Sequence, residues 1–260
     1  MDNRLGAAGT VGAEITVKSA PDGHTLLVGS TSEIGIGASL HTKLPYNVLR
    51  DLAPVAALAA TPMVLVVHPS LPAKSVAQLI ALAKAHPGEL NYGSAGAGTG
   101  NHMSAELFRY LTKINIVHIS YKGAAPALMD VMGGQVHIMF STLPAAVEFV
   151  RAGRLRALAV SSPQRAASLS QVPTMAESGV PGYEVEYWYG FLAPAATPKD
   201  ILARVYADTV EVLRLPDVVA NFAKQGLEPS KKTQAQFAEF VKADIEKWAV
   251  VVKVSGAEVD

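Results

Sequence analysis

The stretch Asn91-Tyr92-Gly93-Ser94-Ala95-Gly96-Ala97-Gly98-Thr99-Gly100-Asn101-His102 holds the residues best suited to chemistry. Its glycines let the backbone turn tightly enough for several N–H groups to converge, and Ser94 and Thr99 add hydroxyl donors. The run follows a strand-like segment and opens a helical pattern through Met103, Leu107 and Leu111, so a helix N-terminus adds partial positive charge. Such a turn suits a carboxylate or a phosphate; a structural turn that packs a helix on a sheet is the competing reading. Three better-known motifs fail on the letters. After Gly96 and Gly98, a dinucleotide fingerprint needs a small residue where Asn101 stands. A phosphate loop of the Walker type needs a lysine that this run lacks, and no serine in the chain has glycines two away on both sides, as a nucleophile elbow requires.

A second hydroxyl- and glycine-rich turn, Gly29-Ser30-Thr31-Ser32-Glu33-Ile34-Gly35-Ile36-Gly37, follows another strand-like segment, and Ser141-Thr142-Leu143-Pro144 makes a third. Open α/β sheets bind ligands at the carboxyl ends of strands, so Ser30, Thr31 and Ser32 are expected to face Ser94, Ala95, Gly96, Gly98 and Thr99 across a ligand. Ser141 and Thr142 join them, His102 offers one hydrogen bond, and Trp188 walls the site. Glu33 reads as an exposed loop carboxylate and Lys122 as a solvated surface charge. Catalytic signals are weak: the seven histidines never stand four apart, no His-Glu-x-x-His exists, and no metal or cofactor is expected. An enzyme using the glycine-rich turns on a carboxylated or phosphorylated substrate stays open as the alternative, as does the sensing domain of a regulator.

These turns need elements to hold them. Thr25–Val28, Met63–Val67, Leu90–Tyr92, Ile114–Ile119, Val136–Phe140 and Leu155–Val160 are short, apolar and rich in Val and Ile, as buried strands are. Helices with start and stop signals lie between them. Ser75 with Gln78, Thr174 with Glu177 and Thr233 with Gln236 fit capping boxes; Pro126 and Pro144 suit first turns; Pro87-Gly88, Gly133-Gly134 and Gly153 suit helix ends. Phe237, Val241, Ile245, Trp248 and Val252 make one stripe on a closing helix. The alternation predicts an α/β fold with mainly parallel sheets flanked by helices. Met63–Val67 and the aromatic run Tyr183–Phe191 read as crossings between lobes. One lobe then comprises 1–67 and 186–260, the other the inserted 68–185, with a ligand cleft between them.

Composition narrows the function. The chain has 260 residues, zero formal net charge and only 17% charged residues, which argues against nucleic acid; no basic run exceeds Lys231-Lys232. Apolar stretches such as Met63–Val67 are too short to insert in a membrane. The absence of cysteine removes thiol catalysis, disulfides and cysteine metal sites, and is compatible with an oxidising compartment. Met1-Asp2-Asn3-Arg4 leads into a glycine-rich segment without an apolar stretch, so no signal peptide is legible.

Taken in order, Asn3-Arg4-Leu5-Gly6-Ala7-Ala8-Gly9-Thr10-Val11-Gly12, Ala20-Pro21-Asp22-Gly23-His24-Thr25-Leu26-Leu27, Gly93–His102, Tyr121-Lys122-Gly123 with Pro126, Asp130 with Gly133-Gly134-Gln135-Val136, Val172-Pro173-Thr174, Glu177, Gly179 and Tyr187-Trp188 resemble the Bug family. These are the solute receptors of tripartite tricarboxylate transporters, and the resemblance runs essentially from Met1 to the C-terminus. It implies a two-lobed architecture like that of periplasmic binding proteins, with hinge closure on a small carboxylate: a dicarboxylate, an amino acid or an aromatic acid. It further implies membrane transporter subunits as partners, periplasmic residence of the parent protein and no enzymatic activity. Carried over by position, Ser94, Gly96, Gly98, Thr99 and His102 form one side of the grip and Ser30, Thr31 and Ser32 the other. Family members also carry a signal peptide, a strand, a Pro-Gly-Gly loop and a helix ahead of the segment matching Asn3-Arg4. The resemblance therefore implies weakened or lost binding by the chain as written.

Overall fold

The computed structural model describes residues 2, 4, 7–41 and 44–257. Asn3, Leu5 and Gly6 of the opening motif lie outside the described residues. The chain forms two compact units: Met1–Ala60 with Trp188–Ala223 and Glu228–Asp260, and Thr61–Tyr187 with Lys224–Leu227.

The first unit begins with helix α1 (Thr10–Val17) and strand β1 (Leu27–Ser30). A π-helical turn, Thr31–Ile36, follows and runs into the short α2 (Gly37–Leu40), then α3 (Val48–Asp51). Strand β2 (Leu52–Val67) starts in this unit and continues into the second.

The second unit then alternates regularly. Helix α4 (Val76–Ala85) precedes β3 (Asn91–Ser94), α5 (Gly100–Thr112), β4 (Val117–Ser120), α6 (Ala124–Met132), β5 (Ile138–Thr142), α7 (Leu143–Arg151) and β6 (Arg156–Val160). Strand β7 (Glu186–Pro194) carries the chain back to the first unit, which closes with α8 (Lys199–Leu213), α9 (Pro216–Lys224), β8 (Glu228–Pro229) and α10 (Gln234–Ser255).

In the second unit the strand order is β6-β2-β5-β3-β4. Strand β3 runs parallel to both β4 and β5, whereas β2 is antiparallel to β5 and β6. In the first unit β1 pairs antiparallel with β7, β7 neighbours β2, and β8 pairs antiparallel with β2. The sheets are thus mixed, where the alternation predicted mainly parallel ones. The difference lies in the long β2, which crosses from the first unit at Thr61 and runs antiparallel to the β5 and β6 that flank it.

Sequence spacing explains the core. Met63–Val67 is apolar at every position and buried throughout, because β5 and β6 flank it. Val64, Val66, Met139, Val131, Leu143, Val147 and Val160 pack together in the second unit. In the first, Trp188, Phe237, Val241, Ile34 and Leu192 pack together, with the Trp188 and Phe237 rings edge to face, centroids 5.4 Å apart.

Helix starts follow local chemistry. Ser75 Oγ accepts from Gln78 N at 3.2 Å, and Gln78 Oε1 accepts from Lys74 N at 2.7 Å. Thr233 and Gln236 close a reciprocal capping box at the head of α10. Thr174 and Glu177 make the same reciprocal bonds, yet only a turn follows. Gly179, at φ +87°, and Pro181 end the segment before a helix can propagate.

Candidate functional site

The order β5-β3-β4 sends the chain in opposite directions from neighbouring parallel strands. From β3 it passes through α5 to β4; from β5 it passes through α7 to β6, beyond β2. Connections that diverge at adjacent carboxyl ends leave a crevice, and here the ends carry the glycine-rich turn 95–99 and the Ser141–Leu143 turn. Asn101 ties the two together: its side-chain amide donates to the Phe140 carbonyl at 2.6 Å.

Within the 95–99 turn most polar groups already have partners. Gly96 N donates to Ser94 Oγ (3.1 Å), Gly98 N to His102 Nδ1 (3.2 Å) and Thr99 N to the Gly96 carbonyl (3.3 Å). Thr99 Oγ1 also donates to the Gly96 carbonyl, at 2.7 Å, and the Ala95 carbonyl accepts from Gly123 N. Three N–H groups expected to hold the ligand are therefore spent on shaping the turn, because a short loop must satisfy its own backbone before it serves a guest. Ser94 is fully buried and its hydroxyl bonds within this network rather than outward. The N–H groups of Ala95, Ala97, Asn101 and His102 remain. They donate to no protein acceptor among the described residues, and the last two belong to the first turn of α5, where helix geometry supplies none. Gly100 stands at the same helix start with the Tyr187 ring against it, so an added Cβ would overlap that ring.

His102 was expected to offer a hydrogen bond to the ligand. It is 6% exposed, its Nδ1 accepts from Gly98, and its Nε2 faces Glu106 Oε1 at 3.9 Å. Its ring stacks on His118 at 4.1 Å, and His118 stacks on Tyr92 at 5.0 Å. Burial, then the neighbouring His118, pulls the His102 pKa down to about 4, so the ring is neutral. Glu106, also buried, accepts from Tyr92 Oη at 2.5 Å and from Arg109 at 2.7 and 2.9 Å. Burial, followed by the Glu106 charge, raises the Tyr92 hydroxyl well above its ordinary range. Sequence reasoning missed Glu106 and His118. Glu106 stands one helical turn after His102, a spacing legible in the letters, whereas only the sheet brings His118 alongside.

The Ser30–Ser32 turn differs from its expected role. Residues 31–36 form a buried π-helical turn rather than an open loop. Glu33, read from sequence as exposed, is 6% exposed and folds back on Ser30: Ser30 N donates to Oε1 at 2.5 Å and Ser30 Oγ to Oε2 at 2.7 Å. Burial raises its pKa to about 7 against those hydrogen bonds. Thr31 Oγ1 accepts from Trp188 N at 3.0 Å, and Ser32 N donates to Ser30 Oγ. These hydroxyls hold the turn, because the chain's own carboxyl group takes the place a ligand was expected to fill.

Trp188 is not a wall of the site. Its ring lies in the core of the first unit and its indole N–H donates to Asp244 at 2.7 Å. Strand alternation puts its neighbour Tyr187 on the other face, and Tyr187 meets Gly100. Ser141 is buried and donates to the Thr142 carbonyl, while the half-buried Thr142 hydroxyl makes no hydrogen bond among the described residues. Lys122 is exposed. Among the described residues no group of three His, Cys, Asp or Glu could hold a metal, and no helix is long and apolar enough to cross a membrane.

Comparison with known proteins decides the family. Residues 1–257 match the tripartite tricarboxylate transporter family receptor. The chain belongs to that family. This receptor is 40% identical to protein BugT of Bordetella pertussis over 99% of its own length and 79% of BugT. Among solved structures it is similar to Rpa4515 of R. palustris with adipate, at 35% identity and TM-score 0.93, covering 99% of this chain and 87% of that one. It is also similar to MatC of Rhodopseudomonas palustris with bound malate, at 32% identity and TM-score 0.90, covering 96% and 86%. The two-lobed solute-receptor fold and the likeness to Bug proteins follow from these matches.

Proposed function

We propose that this receptor captures a small carboxylate at the carboxyl ends of β3 and β5, in the periplasm, and delivers it to the membrane subunits of a tripartite transporter. One observation carries the reading: the N–H groups of Ala97, Asn101 and His102 lack a protein acceptor at a helix N-terminus beside diverging strand connections. Oriented N–H groups and the positive end of the helix dipole favour an anion there, without arginine. The Thr142 hydroxyl adds a donor from the neighbouring turn. Adipate and malate in two structural neighbours point to dicarboxylates as the first ligands to try. Because the family consists of transport receptors, we read the chain as a binder rather than an enzyme.

Calorimetric titration with adipate and with malate tests the reading, using a paired substitution. Asn101→Ala removes the side-chain bond to Phe140 but keeps the main-chain donor; Asn101→Pro removes both, at a helix position that tolerates proline. A charge-assisted hydrogen bond contributes about 1.5–3 kcal/mol, so Asn101→Pro should bind at least about tenfold more weakly than Asn101→Ala. Equal affinities of the two variants would remove that main-chain donor from the site.

A further inference from the structure

We infer that His102 is a positioning residue: as a neutral ring accepting through Nδ1, it fixes the Gly98 N–H and thereby the shape of the turn that presents the remaining amides. The inference rests on the proposed carboxylate site but has a readout of its own. Gly98 N approaches Nδ1 at 3.2 Å, so that nitrogen carries the lone pair and the ring proton sits on Nε2. Nε2 faces Glu106 Oε1 at 3.9 Å, a long contact consistent with that tautomer and with no competing acceptor.

The neighbouring bonds reinforce the assignment. Ser94 Oγ accepts from Gly96 N at 3.1 Å, lies 2.6 Å from His118 Nε2 and 3.1 Å from the Gly96 carbonyl. A hydroxyl has one proton. All three contacts are satisfied together when His118 Nε2–H donates to Ser94 and the Ser94 proton goes to Gly96. Two neutral rings of the same tautomer, stacked at 4.1 Å, thus brace the turn at Gly96 and at Gly98.

The titratable groups around the His102 ring are His118 from β4, Tyr92 from β3, and Glu106 and Arg109 from α5; β5 contributes none. A proton added at His102 Nδ1 would set N–H against N–H at Gly98 and expel it. Burial and the second histidine oppose that proton, which keeps the acceptor available at neutral pH. Glu106 opposes the shift without reversing it.

The test uses the full chain. In nitrogen-15 spectra the neutral His102 should show a protonated Nε2 and an acceptor Nδ1, and the Gly98 amide resonance should follow the His102 titration. Asn places an oxygen where Nδ1 stands, whereas Leu has similar bulk and no acceptor. With adipate or malate as probe, His102→Leu should lose about tenfold in affinity, the cost of an unsatisfied buried N–H, and His102→Asn should stay within about threefold. A Gly98 amide indifferent to His102, or equal losses in Leu and Asn, overturns the positioning role. If neither acid binds the unaltered protein, the ligand assignment fails while the spectra still decide the His102–Gly98 bond.

Discussion

Two turns of nearly the same composition follow strands in the two units, and they fold in opposite ways. After β3, small residues and hydroxyls close on themselves and release a thirteen-residue helix in which the Asn101 and His102 N–H groups have no protein acceptor among the described residues. After β1, Ser30, Thr31 and Ser32 lead into a π-helical turn that is buried throughout. The difference lies in Glu33. A carboxyl group three residues after Ser30 can reach back to its N–H and hydroxyl, so this turn carries its own acceptor. The turn after Ser94 has no acidic residue before Glu106, so it carries no such internal acceptor. An internal carboxylate within reach thus separates the filled turn after β1 from the turn after β3, where a ligand is proposed.

The largest expected effect comes from removing the deeper of the two supports. Glu106→Leu leaves Arg109 and the Tyr92 hydroxyl without their buried partner, and breaking such a pair typically costs about 3–5 kcal/mol. Urea unfolding should show that loss; a change below about 1 kcal/mol would mean that the cluster does not hold the second unit together. In the first unit the matching probe is steric. At Gly35 an added Cβ would overlap Asp244 Oδ2 beside Trp248, so Gly35→Ala should destabilise by about 1–3 kcal/mol. Carboxylate affinity should change little, because the turn after β1 is filled; a large loss would return that turn to the site.

The contrast also has a pH signature of opposite sign in the two units. Glu33, raised from 4.5 to about 7, binds more protons folded than unfolded in that interval. Its contribution is complete below pH 4.5 and is lost as pH rises through 7. His102, lowered from 6.5 to about 4, binds fewer protons folded. Its contribution is present above pH 6.5 and is lost as pH falls towards 4. Unfolding at a series of pH values should therefore lose its decline between pH 4.5 and 7 in Glu33→Gln, and its rise between 4 and 6.5 in His102→Asn. An unchanged profile in either variant sinks the corresponding assignment.

The smallest effect should be the same in both units. Ser75→Ala at the head of α4 and Thr233→Ala at the head of α10 each remove one capping acceptor, worth about 1 kcal/mol in thermal or urea unfolding. Markedly unequal losses would show that tertiary context, rather than the cap, sets the value at one of the two heads.

Sequence by itself determined the features that depend on neighbours along the chain. The caps at Ser75 and Thr233, the first-turn prolines of α6 and α7 and the glycine-rich turn after β3 all arise from interactions within a few residues. The family was legible for the same reason, since short motifs in a fixed order survive in one dimension. Tertiary structure decided what distant segments do to each other. It set β2 antiparallel, buried Trp188 against Asp244 while turning Tyr187 to the α5 start, and stacked His118 on His102. It also decided which amides are left for a ligand, because a hydrogen-bond donor is available only when no other part of the fold has reached it first.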